Sequence, residues 1–126
     1  MKNSTMTQEQ KNLLLKDLCA RLPYGVKISV NDKVESLQGI NILDNVVEYD
    51  SCLSSDIEEV KPYLFPLSSM TEEQRKEFDT TLKYLHAEEI DIWTCDTYDW
   101  CDKNHFDYRG LIPMGLAIDA TGLNIY

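Results

Sequence analysis

The chain has 126 residues, 43% of them hydrophobic and 27% charged, with a formal charge of −10. This length suits one globular domain with a real core, and the apolar content excludes wholesale disorder. The acidity argues against direct nucleic-acid binding and against anionic membrane surfaces, both of which need Lys and Arg.

Thr7-Gln8-Glu9-Gln10 reads as a capping box, with the Thr7 hydroxyl and the Gln10 side chain reciprocally satisfying helix-terminal amides. Leu14, Leu15, Leu18, Cys19 and Leu22 follow at helical spacing, and Pro23 and Gly25 end the helix. Val26, Ile28 and Val30 then alternate with Lys27 and Ser29, which is strand periodicity. Asn31-Asp32 marks a turn into a second extended segment holding Val34, Leu37, Ile40 and Ile42, with Gly39 as a bulge. Asp44-Asn45 is another turn, Val46–Tyr49 a third strand, and Ile57 to Leu64 a short turn or strand that closes the group. Strands at such short spacing predict an antiparallel meander or small barrel.

Pro62 and Pro66 bracket Tyr63-Leu64-Phe65 as an extended crossing segment. Thr71-Glu72-Glu73-Gln74 repeats the capping box, and Phe78, Leu82 and Leu85 place a second amphipathic helix behind it. Ile90–Trp93 returns to strand. Thr97 or Asp99 is a candidate cap for a short helix running to about His105, and Leu116–Ile118 is a candidate last strand. The expected fold is α+β: a small antiparallel sheet or partial barrel, an N-terminal helix, a middle helix and a short C-terminal helical segment. It forms one domain over 1–126, with residues 1–6 as a loose tail.

No apolar run approaches the ~20 residues of a membrane span, and Met1–Gln10 lacks the apolar core of a signal peptide. A cytoplasmic location is therefore expected, with Cys19, Cys52, Cys95 and Cys101 as free thiols rather than a disulfide framework.

Three segments, LCARLPYGVK (18–27), IEEVKPYLFPLSSMTEE (57–73) and HFDYRGLIPMGLA (105–117), resemble an uncharacterised protein family. Its members occur in gut Bacteroides genomes and in the phages and mobile elements within them. The segments occur in the same order and span nearly the whole chain. The resemblance implies a bacterial cytoplasm and a phage-accessory role, but no activity, cofactor or catalytic residue. The family has Arg where this chain has Phe65, so a site built on that Arg would be lost here.

Two chemistries compete for the C-terminal region. Trp93, Tyr98, Trp100, Phe106 and Tyr108 crowd it, interleaved with Asp96, Asp99, Asp102 and Asp107. Aromatics of this kind build cores, and with acids between them they also suit a patch for a basic host or phage protein. The candidate interaction patch is Trp93, Tyr98, Asp99, Trp100, Asp102, Tyr108 and Arg109. Arg109, alone among acids, is expected to pair with a neighbour such as Asp107. The rival chemistry uses Cys95, Cys101 and His105 as zinc ligands, with Cys52 or His86 completing the set, or Cys101 and His105 as nucleophile and base. The usual zinc spacings are absent, no glycine that would shape an oxyanion hole precedes Cys101, and no phosphate-binding loop is present. A non-enzymatic acidic interaction domain without a cofactor is therefore the primary expectation.

Overall fold

The computed structural model describes residues 6–50 and 53–126. Helix α1 spans Gln8–Arg21, and its capping box forms as expected: Thr7 Oγ1 accepts from the Gln10 amide and the Gln10 side chain accepts from the Thr7 amide. Leu14, Leu15 and Leu18 are buried along one stripe, but so are Asp17 and Arg21, while Cys19 is exposed. A 3-10 turn over Leu22–Tyr24 ends at Gly25, whose left-handed φ of 70° suits glycine. Met6, in the segment expected to be loose, packs against the core; residues 1–5 of that segment and Cys52 lie outside the described residues.

The meander follows. Strands β1 (Lys27–Val30), β2 (Lys33–Asn41), β3 (Val46–Tyr49) and β4 (Ser54–Asp56) pair antiparallel in that order. Asn31 and Asp32 both take positive φ, 50° and 62°, which matches the twist of a tight hairpin. The bulge lies between Leu37 and Gly39. Glu48 lies so close across the sheet that a Cβ on Gly39 would stand 2.9 Å from its Oε2. Ile42 falls in the turn beyond β2 and is exposed.

The Tyr63–Phe65 segment, expected to cross between elements, is part of the strand that joins the two halves. After a 3-10 turn at Ile57–Glu59, β5 (Val60–Pro66) pairs antiparallel with β1. It pairs in parallel with β9 (Ile118–Asp119) through Tyr63 and Leu64, and with β8 (Phe106–Asp107) through Phe65 and Pro66. The sheet is thus mixed, and it does not close into a barrel. Both prolines fit the strand. Pro62 opposes Ile28, and Pro66 sits at the last position.

Helix α2 (Glu72–Thr81) again has its capping box, made by Thr71 and Gln74. It stops at Thr81, so Leu82 and Leu85, expected on its stripe, lie outside it; Leu85 belongs to β6 (Lys83–Leu85). The reason is local. Thr80 and Thr81 donate their hydroxyls to the Glu77 and Phe78 carbonyls. The Thr81 carbonyl, which would carry the helix onward, accepts instead from the Thr94 and Thr97 hydroxyls at 2.9 and 3.0 Å. Among the described residues, strand β6 pairs only with β7 (Ile90–Ile92), forming a separate two-stranded ribbon. Helix α3 spans Cys95–Lys103, and Thr94, not Thr97 or Asp99, is its cap.

Two apolar clusters result. The larger packs α1 against the meander through Leu14, Leu18, Val26, Ile28, Val47, Ile57 and Leu64, joined by Leu111 and Leu116 from the C-terminal segment. The smaller centres on Phe78, Cys101 and Phe106, with Phe65, Leu67, Trp93, Trp100 and Tyr108 around them. Among the described residues no helix is long and apolar enough to cross a membrane.

Leu18 has no exposed surface. Leu18→Ala should therefore lower unfolding free energy by about 2–5 kcal/mol. Urea denaturation checks this, and a loss below about 0.5 kcal/mol would mean that the α1 stripe is not packed as described.

Candidate functional site

The candidate site is built behind and in front of α3. Behind it, Arg21 of α1 is fully buried and donates in three directions. Its Nε reaches Asp17 Oδ2 at 2.9 Å, Nη1 the Cys101 carbonyl at 3.4 Å and Nη2 the Phe106 carbonyl at 2.6 Å. Asp17, equally buried, also accepts from Arg109 Nη1 at 2.7 Å through its second oxygen. Asp102 Oδ1 completes the group, 4.0 Å from Arg21 and 3.8 Å from Arg109, and accepts from the Tyr108 hydroxyl at 2.8 Å. Two carboxylates and two guanidiniums thus neutralise one another away from water, which is the condition for burying any of them.

This clasp sets the aromatic surface in front. Burial pushes the Asp102 carboxyl up, while the Tyr108 hydrogen bond and the two arginines oppose that push. Burial, and then the bond to Asp102, push the Tyr108 hydroxyl well above its ordinary range. Tyr108 therefore stays a proton donor, with Arg109 stacked over its ring at 4.5 Å. Tyr98 and Asp102 lie four apart on one face of α3. Tyr98 accordingly meets the Tyr108 ring at 5.2 Å and Trp93 at 5.2 Å, and Trp93 lies 6.1 Å from Tyr108. Together with Leu67 and Ile92, these three rings line an open cleft of about 430 Å³.

The expected patch is thus divided. Trp93, Tyr98 and Tyr108 are brought together. Asp99 is exposed beside them on α3. Asp102 and Arg109 belong to the clasp and support the surface from below; Arg109 pairs with Asp17 and Asp102, not with Asp107. Asp107 instead accepts from the Leu111 and Ile112 amides, both at 2.9 Å. Trp100 is two residues from Tyr98 and so faces away. It stacks on Phe106 at 5.4 Å with 5° between planes, and meets Phe78 edge-on. Sequence reasoning missed Leu67, Ile92 and the pair Asp17 and Arg21. The last two carried a signal: an Asp and an Arg four apart, with Arg21 continuing the Leu14–Leu18 stripe.

The rival chemistry is not assembled. Among the described residues no group of three His, Cys, Asp or Glu can hold a metal ion. Cys95 is exposed, whereas Cys101 is buried against Phe78 and Phe106. Burial pushes the Cys101 thiol up to about 11, the reverse of nucleophile activation. His105 takes a left-handed φ of 63° at the end of α3 and stacks on Tyr126, ring centroids 3.9 Å apart. Its Nδ1 is buried without a hydrogen-bond partner, and burial, helped by the Arg21 charge, draws it down to about 4. It is therefore neutral at pH 7. Tyr126 is itself tied down, accepting from the Lys27 amide at 2.8 Å and donating to the Tyr63 carbonyl at 2.7 Å.

A second hollow, about 490 Å³, lies on the meander between Gln38, Glu48, Tyr49, Asp50, Leu53 and Ser54. It is larger, but among the described residues its one aromatic wall is the buried Tyr49. Comparison with known proteins returns no matching family model, curated relative or solved structure.

Arg21→Met would strip donors from Asp17 and from the Cys101 and Phe106 carbonyls together. It should cost about 3–5 kcal/mol of stability in urea, as removing one member of a buried ion pair does. A loss under about 1 kcal/mol would show that the clasp is not formed. His105 generates a pH dependence of known sign. Its folded value lies below its unfolded one, so the unfolded chain binds the extra proton, and stability falls as pH drops from about 6.5 towards 4. Between pH 6.5 and 5 the stability of the native chain should fall relative to His105→Gln, approaching about 1.4 kcal/mol per pH unit. Parallel curves for the two proteins would refute the buried neutral imidazole.

Proposed function

We propose that the protein is a non-enzymatic interaction module that docks a basic segment of a partner protein in the Trp93–Tyr98–Tyr108 cleft. The observation that carries this reading is the cleft's composition together with its surroundings. Its aromatic rings offer large apolar area and π faces that attract Lys and Arg. Ile92, Trp93 and Tyr98 come from a stretch, residues 84–102, that contains Glu88, Glu89, Asp91, Asp96, Asp99 and Asp102 and no Lys or Arg. Five of those six carboxylates are exposed; only Asp102 is turned inward. An aromatic anchor carried on a segment rich in exposed acids complements a partner that mixes apolar and basic side chains. The clasp supports the same reading, because it fixes Tyr108 without itself facing the cleft. The resemblance to the Bacteroides and phage family makes a mobile-element accessory the natural setting, with a host or phage protein supplying the basic segment.

Fluorescein-labelled ten-residue peptides mixing Lys or Arg with Leu or Val, titrated with the full chain, test the reading by anisotropy. Basic members should bind at low salt and weaken as salt screens the acids. Tyr98→Ala, an exposed change, should weaken them about tenfold while leaving stability within about 0.5 kcal/mol. Equal binding of acidic counterparts, or unchanged binding by Tyr98→Ala, would refute it.

A further inference from the structure

The two-stranded ribbon beside the cleft has properties that the interaction reading alone does not explain. Isolated two-stranded ribbons are marginally stable in water, and free strand edges are usually blunted. Here β7 pairs with β6 alone. Its three residues, Ile90, Asp91 and Ile92, are all exposed. On the side away from β6 its backbone has no hydrogen-bond partner among the described residues. Ile90 and Ile92 alternate with Asp91 and so share a face, and Ile92 lines the aromatic cleft. The open edge and the cleft are therefore contiguous: one supplies unpaired backbone, the other an apolar floor of Ile92, Trp93, Tyr98 and Tyr108.

We propose that the partner segment binds as a third strand on the free edge of β7, with alternate side chains entering the cleft. This rests on the interaction reading and specifies its mode: main-chain hydrogen bonds supply affinity and the alternate side chains supply specificity. Charge selects the occupant. A second copy pairing antiparallel about the centre of β7 would set Asp91 directly against Asp91, so self-pairing through this edge is disfavoured. A segment that alternates apolar residues with Lys or Arg satisfies both faces. Its apolar side chains meet Ile92 and the aromatic rings, and its cations meet the exposed carboxylates. The strict alternation also fixes the register, because a slip of one residue would turn the cations into the cleft.

The probe is an eight-residue peptide alternating Val and Lys, titrated against the full chain at low salt. Two derivatives carry N-methyl groups, one on every Val amide and one on every Lys amide. In an added strand, alternate amides face the receptor edge and the rest face away. One derivative should therefore bind at least tenfold more weakly than the parent, and the other within about twofold. Equal affinity of all three peptides, or equal weakening of both derivatives, overturns strand addition. If that happens while Tyr98→Ala still weakens binding about tenfold, the interaction reading stands and only the mode fails. If the unmodified peptide does not bind at all, strand addition to this edge is overturned, and the mixed apolar–basic peptides then decide the interaction reading on their own. Because the modification sits on the peptide, no outcome can be attributed to misfolded protein.

Discussion

The buried guanidinium of Arg21 is the point through which the two halves of the structure hold each other. It leaves α1, passes out of the larger apolar cluster and ends on two carbonyls, one at the end of α3 and one in β8. Burying it requires a compensating charge, supplied one turn earlier by Asp17. Burying Asp17 in turn recruits Arg109, and Arg109 stacks on Tyr108. Each member is satisfied only if the others are in place. Apolar replacements for such pairs are often as stable, so the contribution of the clasp is orientation more than net stability. The planar fork of an arginine donates to carbonyls only in certain directions, and that fixes where α3 can lie.

From this constraint the surface follows. With α3 fixed, Trp100 and Cys101 face the smaller cluster, and Tyr98 faces out to meet Trp93 and Tyr108. The cleft is thus a rigid aromatic wall backed by a charged clasp, with the exposed β6–β7 ribbon to one side. A rigid wall lowers the entropy lost when a partner binds, which matters for a small site.

The α+β architecture was legible in the chain because its punctuation is local. Both capping boxes, the Asn31-Asp32 turn and the Gly39 bulge form where the residues place them. The misreadings arose where tertiary contacts override local pattern. The apolar spacing of Phe78, Leu82 and Leu85 suits a helix, but threonines from another segment capture the Thr81 carbonyl. Tyr63–Phe65 reads correctly as extended, but its parallel partners lie far along the chain and leave no local pattern. At the candidate site, aromatic crowding marked the stretch in which Trp93, Tyr98 and Tyr108 come together. It did not separate Tyr98 from Trp100, because facing depends on a helix start that the sequence reading put three to five residues too late. Asp102 and Arg109 read as surface charges because their partners on α1, Arg21 for Asp102 and Asp17 for Arg109, are more than eighty residues away.

The parallel pairing of β5 has a consequence for how the chain is made. β5 is synthesised after its antiparallel partner β1, so that edge closes early. β8 and β9 come about 40 and 55 residues later. During synthesis the Tyr63-Leu64-Phe65 end of the strand must wait for these partners, and Arg21 faces a forming core without the carbonyls that will receive it. A half-made chain therefore combines an unpaired apolar strand end with an Asp17–Arg21 pair that still lacks Arg109 and the two receiving carbonyls. It is most exposed to aggregation and to cellular quality control in the interval before β8 and β9 leave the ribosome.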